Sequence, residues 1–71
     1  MRTAVFHYNR ELREWTSRPF QGWEYRIIRL WLKGYALYFN GRYLAGDTKI
    51  RILIHVARKH LAENHFVKEV A

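Results

Sequence analysis

Residues 23–63, WEYRIIRLWLKGYALYFNGRYLAGDTKIRILIHVARKHLAE, contain two hydrophobic periodicities, and the place where one gives way to the other sets the fold. Asn40-Gly41 stands between YALYF and RYLA. Both residues tolerate the positive φ of a two-residue turn, which is the strongest short-range hairpin signal a sequence offers. Upstream, WEYRIIRLWL (23–32) is rich in aromatic and β-branched residues and meets YALYF through Lys33-Gly34, a second tight-turn dipeptide. A three-stranded antiparallel meander is the expected result. Gly46-Asp47-Thr48 then supplies a helix cap, after which the apolar period changes from two to about 3.6. Ile50, Leu53, Ile54, Ala57 and Leu61 fall on one face of a helix expected over 48–64, the spacing of a helix that packs on a sheet.

Working outward, TAVFHY (3–8) has the composition of a further strand, and Asn9 is placed to cap a short helical turn over 11–15. TSRPFQG (16–22) holds the only proline and reads as a loop, and HFVKEVA (65–71) as a tail. The expected fold class is α+β: a small antiparallel sheet, three strands with or without an N-terminal fourth, packed by one C-terminal helix. It is one domain, divided into an N-terminal strand and loop (1–22), the meander (23–46), the helix (47–64) and the tail (65–71).

If both hairpin loops have two residues, Leu30 opposes Leu37, Arg29 opposes Tyr38 and Ile28 opposes Phe39, while Tyr38 opposes Tyr43, Phe39 opposes Arg42 and Leu37 opposes Leu44. One sheet face then carries Ile28, Leu30, Leu32, Tyr35, Leu37, Phe39 and Leu44, with Glu24 and Arg26 toward its edge, and receives the helix. The other carries Trp23, Tyr25, Ile27, Arg29, Trp31, Tyr38 and Tyr43. Such an aromatic face with an arginine in it is a stacking platform for nucleobases. Alternatively it is covered, either by Phe6, Trp15 and Phe20 of the N-terminal segment or by a second copy in a symmetric dimer.

The 71 residues include 13 Lys+Arg against 6 Asp+Glu, a formal net charge of +7, and 17% are aromatic. Disorder is excluded by the apolar content, and the absence of cysteine excludes disulfides and thiolate metal sites. No apolar run approaches the roughly 18 residues of a membrane span. MRTAVFHYNR lacks the order of a signal peptide, so a soluble, cytoplasmic chain without a membrane partner is expected. Most of the cations are arginine, whose planar fork suits phosphate. They are spread along the chain, so any positive patch has to be assembled by the fold. The candidate contacts are Arg26, Arg29, Tyr38, Arg42 and Tyr43 from the sheet, and Arg51, His55, Arg58 and Lys59 from a helical stripe beside the apolar one. A solvated charged face is the ordinary meaning of such a stripe.

Catalytic signals are weak. His55, His60 and His65 recur every five residues, which on a helix turns successive side chains by about 140°, away from a common ion. His7 alone on a strand does not make a general-base site, no glycine-rich phosphate loop is present, and the hydroxyl residues lack a partnered base. The sequence reads as a non-enzyme without a cofactor.

Three antiparallel strands followed by a helix, over about 23–64, form a layout that resembles the small DNA-binding modules at the N-termini of some tyrosine recombinases. In those modules the sheet enters the major groove, so the resemblance implies a DNA partner; KIRILI stands where that family's helix has an acidic-alanine pattern. The functional expectation is a small basic nucleic-acid-binding accessory or regulatory domain, with DNA ahead of RNA as the partner. The alternative is a protein-protein interaction module, or an inhibitor of phage or plasmid type, acting through the aromatic sheet face. Trp, Tyr and Arg dominate such interfaces.

Overall fold

The computed structural model describes the backbone of residues 3–70 and the side chains of residues 3–64. Five strands, β1 (His7–Asn9), β2 (Glu14–Phe20), β3 (Trp23–Arg29), β4 (Tyr35–Phe39) and β5 (Arg42–Asp47), precede one helix, α1 (Ile50–Val70). The strands form a single sheet in chain order, each antiparallel to the next. The α+β class and the packing of a helix on an antiparallel sheet are as expected, but the sheet has five strands rather than three or four.

The additional strand is β2, which takes in the end of the helical turn expected over 11–15 and most of the loop expected over 16–22. Its proline falls inside the register irregularity between Ser17 and Phe20, a position where a residue without an N–H is tolerated in a sheet. Asn9 does act as a cap, its Oδ1 accepting from Leu12 N–H at 3.1 Å. The turn it closes is not helical, however: Arg13 takes a φ of 55° and the chain enters β2 at Glu14. The N-terminal strand is also shorter than TAVFHY suggested, covering His7–Asn9.

The register between β3 and β4 differs from the two-residue-loop expectation, and the difference exchanges the two faces of β3. Tyr25 pairs with Phe39, Ile27 with Leu37 and Arg29 with Tyr35. The strand stops at Arg29, and residues 30–34 form a five-residue connection closed by a Leu30 N–H to Gly34 carbonyl bond of 3.0 Å. Moving the pairing by an odd number of residues sends every β3 side chain to the opposite face. Trp23, Tyr25 and Ile27 therefore lie under the helix, whereas Leu30, Trp31 and Leu32 are exposed. The β4-β5 hairpin turns at Asn40-Gly41 as expected, with Tyr38 opposite Tyr43 and Phe39 opposite Arg42. A bulge after that pair sets Leu37 against Ala45 instead of Leu44.

Asn40 does more than turn the chain. At φ 48° it occupies the left-handed region, its Oδ1 accepts from Glu24 N–H at 2.8 Å, and its Nδ2 donates to the Gly22 carbonyl at 2.9 Å. One side chain thereby joins the two turns at that end of the sheet.

The helix lays Leu53, Ala57 and Leu61 onto Tyr25, Ile27 and Leu37, all of them fully or almost fully buried. Ile50 and Ile54 flank this stripe, as the 3.6-residue spacing required. Aromatic contacts extend the core: Trp23 meets Phe39 edge to face at 5.1 Å, Tyr25 meets Phe39 at 5.1 Å, and Phe6 reaches Tyr25 at 6.5 Å. Phe6, Trp15 and Phe20 all pack against this cluster, so Trp23, Tyr25 and Ile27 of the expected aromatic face are covered within the chain, whereas Tyr38 and Tyr43 lie on the opposite side of the sheet. The helix begins at Ile50, after Asp47 Oδ1 has accepted from Lys49 N–H at 3.0 Å, and it runs beyond Asn64 to Val70.

One polar contact ties the two layers together. The Tyr25 hydroxyl and His60 Nδ1 are 2.6 Å apart, with the imidazole also set against Phe39. Burial pushes the Tyr25 phenol up to about 12 and lowers the His60 pKa, an effect that nearby Glu63 partly opposes. A histidine whose folded pKa lies below its unfolded value of about 6.5 binds fewer protons folded than unfolded in the intervening range. Its contribution to stability is thus complete above about pH 6.5 and is lost as the pH falls toward the folded value. Thermal melts from about pH 8 to 5 are expected to show an acid-side decline that is smaller in His60→Gln; an identical decline in both proteins would remove this histidine from the pH response.

Candidate nucleic-acid interface

The two layers divide the residues singled out from the sequence into two groups. On the open side of the sheet are Arg26, Tyr38 and Tyr43; on the helix side are Arg29, Arg42, Arg51, His55, Arg58 and Lys59. The assignment of the sheet residues follows from pairing parity. Arg26 pairs with Tyr38, and Tyr38 with Tyr43, on the face opposite Ile27 and Leu37. Arg29 alternates with the buried Ile27, and Arg42 pairs with Phe39, which contacts His60 of the helix.

On the open side the charges are matched. Arg26 donates from Nε to Glu14 Oε1 at 2.8 Å and from Nη2 to the same oxygen, and Glu14 is only 4% exposed. Arg18 pairs with Glu24, with Nε to Oε2 at 2.9 Å. Among the described residues, both arginines of the open face thus have a carboxylate partner, and Arg26 is held as a counter-ion to a buried glutamate. Around these pairs lies an open cavity of about 730 Å³ lined by His7, Glu14, Thr16, Arg18, Glu24 and Arg26 among others. Tyr38 and Tyr43 meet edge to face at 5.8 Å beside it. Tyr43, 62% exposed, lies across Gly46, where a Cβ would stand 2.8 Å from its hydroxyl oxygen. The expected neighbour of this tyrosine pair, Arg29, is on the other side of the sheet, and the expected aromatic companions Trp23 and Tyr25 are buried. The platform is reduced to two tyrosines.

The helix side is different. Arg51, His55, Arg58 and Lys59 are exposed on the surface of α1 turned away from Leu53, Ala57 and Leu61. No carboxylate occurs from Thr48 to Ala62, a run that takes in about three and a half turns of α1 and is bounded by Asp47 and Glu63. Arg58 also donates from Nε to the Ala4 carbonyl at 3.0 Å, fastening the N-terminal segment against the helix. His55 and His60, read as divergent from their spacing, are divergent: the first is exposed and the second faces Tyr25. The side chain of His65 lies outside the described residues.

Sequence reasoning missed the end of the sheet where β3 meets β4. Trp31 and Leu32 are 95% and 90% exposed at the tip of the five-residue connection. The available signal was the break in alternation after Ile27, since Ile28, Leu30, Trp31 and Leu32 cannot all belong to one face of a strand.

Comparison with protein-family models, with curated proteins and with solved structures found no match to this chain.

Proposed function

We propose that the protein is a small nucleic-acid-binding accessory domain, that DNA is its partner, and that it makes its phosphate contacts through the outer surface of α1. The supporting observation is the basic stripe Arg51, His55, Arg58 and Lys59, which has no carboxylate in its run of helix, while the open-face arginines are occupied by Glu14 and Glu24. Arg42 adds a cation on the same side. Long cationic side chains on one helix surface bind phosphate oxygens with little dependence on base sequence and release counterions as they do so. The interaction-module alternative relies on the aromatic sheet face, of which Trp23, Tyr25 and Ile27 are buried in the core while Tyr43 stays exposed on the open side.

Fluorescence anisotropy with a labelled 20-base-pair duplex, across about 50 to 300 mM salt, tests the reading. Arg51→Ala/Arg58→Ala is expected to weaken binding to unrelated sequences alike and to make the log-log salt slope shallower by about two. Arg51→Ala/Lys59→Ala, which keeps the Arg58 bond to Ala4, is expected to do the same. Normal binding by both double variants would return the stripe to the role of a solvated face.

A further inference from the structure

At the end of the sheet where α1 begins, the exposed Trp31 ring borders a cleft of about 500 Å³ whose walls include Tyr8, Leu12, Arg13, Trp15 and Arg29. We infer that this cleft accepts an unpaired nucleobase of a single strand, stacked on Trp31, with Arg13 and Arg29 holding the adjoining phosphates. The inference rests on the nucleic-acid reading above and names the substrate feature that the helix stripe alone does not select.

Three observations carry it. The first is the combination of surfaces in one concavity, since aromatic faces and arginines together are what non-sequence-specific single-strand sites are built from. The second is backbone conformation. Arg13 has a φ of 55°, so an arginine stands where glycine would sit without strain, and its side chain lines the cleft. The third is continuity with the basic helix. A Cβ at Gly34 would stand 2.9 Å from the Asp47 carbonyl oxygen, so the loop that carries Trp31 is packed directly on the segment leading into α1. A strand following the stripe toward the start of α1 therefore arrives at this loop. An anionic lipid surface would also attract a Trp-Leu tip flanked by cations. The nucleobase is favoured because Arg13 and Arg29 share the concavity with the ring instead of standing behind an apolar tip.

The test uses the full chain with a twelve-residue oligothymidylate, a duplex of equal length, and vesicles containing phosphatidylserine. Trp31→Ala is expected to weaken oligothymidylate binding roughly ten-fold with an unchanged salt slope, and duplex binding less than about two-fold. The emission of Trp31, read as the difference between the wild type and Trp31→Phe, is expected to be quenched by oligothymidylate, with Trp31→Phe retaining most of the affinity. Arg13→Gly is expected to melt no lower than the wild type and yet to bind the single strand several-fold more weakly. Wild-type affinity of Trp31→Ala for oligothymidylate overturns the cleft, as does an emission change seen with vesicles alone. If duplex binding is salt-steep and Trp31 stays silent, only the cleft fails; if neither nucleic acid binds at about 50 mM salt, the nucleic-acid reading fails with it.

Discussion

Leu37→Ala and Leu53→Ala are each expected to leave a large fraction of the protein unfolded at room temperature. Both side chains are completely buried where α1 meets β4. Truncating a buried leucine costs about 2 to 5 kcal/mol through lost transfer energy and the cavity left behind. A single core in a chain of this size supplies about 3 to 5 kcal/mol in total. Urea melts followed by circular dichroism measure the loss, and Leu32→Ala provides the contrast. At 90% exposure Leu32 is expected to change stability by less than about 0.5 kcal/mol. The three variants together decide the β3-β4 register, because a two-residue loop puts Leu32 on the same core face as Leu37. Equal losses for Leu32→Ala and Leu37→Ala would reinstate that shorter loop.

The second large effect is expected at the Arg26–Glu14 pair. Removing one partner of a buried ion pair leaves an uncompensated charge and costs about 3 to 5 kcal/mol. The Arg26 side chain is 40% exposed, so solvent screens part of the interaction and about 2 kcal/mol is expected for Arg26→Ala. Arg26→Leu/Glu14→Leu is expected to recover most of that loss, since replacing both charges with apolar groups removes the desolvation penalty along with the attraction. A double-mutant cycle by urea melts gives the coupling directly. A coupling near zero would mean that the pair is solvated, and Arg26 would then rejoin the cations available for phosphate.

The C-terminal half of the fold was legible because its signals are local. Asn40-Gly41 is a turn for backbone reasons alone, and Ile50, Leu53, Ile54, Ala57 and Leu61 define a helix face by spacing alone. The register of β3 was not legible from the turn dipeptide, because Lys33-Gly34 is only the end of a longer connection that also takes in three apolar residues. Better information lay in WEYRI, whose strict alternation of large apolar and charged residues marks Trp23, Tyr25 and Ile27 as one buried face. Strand β2 was hidden by Pro19 and the small polar residues around it, which local propensity assigns to loops. It is a strand because β3 needs a partner on that side and Trp15 and Phe20 add to the shared core. The misread register moved Arg29 beside Tyr38 and Arg26 toward the helix, and so the expected sheet site separated into two sides of the molecule. The helix stripe kept its composition because it depends on one element only.

Each strand is hydrogen-bonded to its neighbour in the chain, and that order has a consequence for the protein during synthesis. The sheet needs only short loops to be closed, so hairpins form quickly and one after another as residues emerge from the ribosome. The helix, which supplies the other wall of the core, follows all five strands in the chain. Until it arrives, Trp23, Tyr25, Ile27, Leu37 and Phe39 present a nascent sheet with one greasy side uncovered, the form in which chains are most prone to stick to one another and to engage chaperones. A chain truncated after Lys49 is therefore expected to aggregate and to bind a hydrophobic dye under conditions in which the full chain does neither.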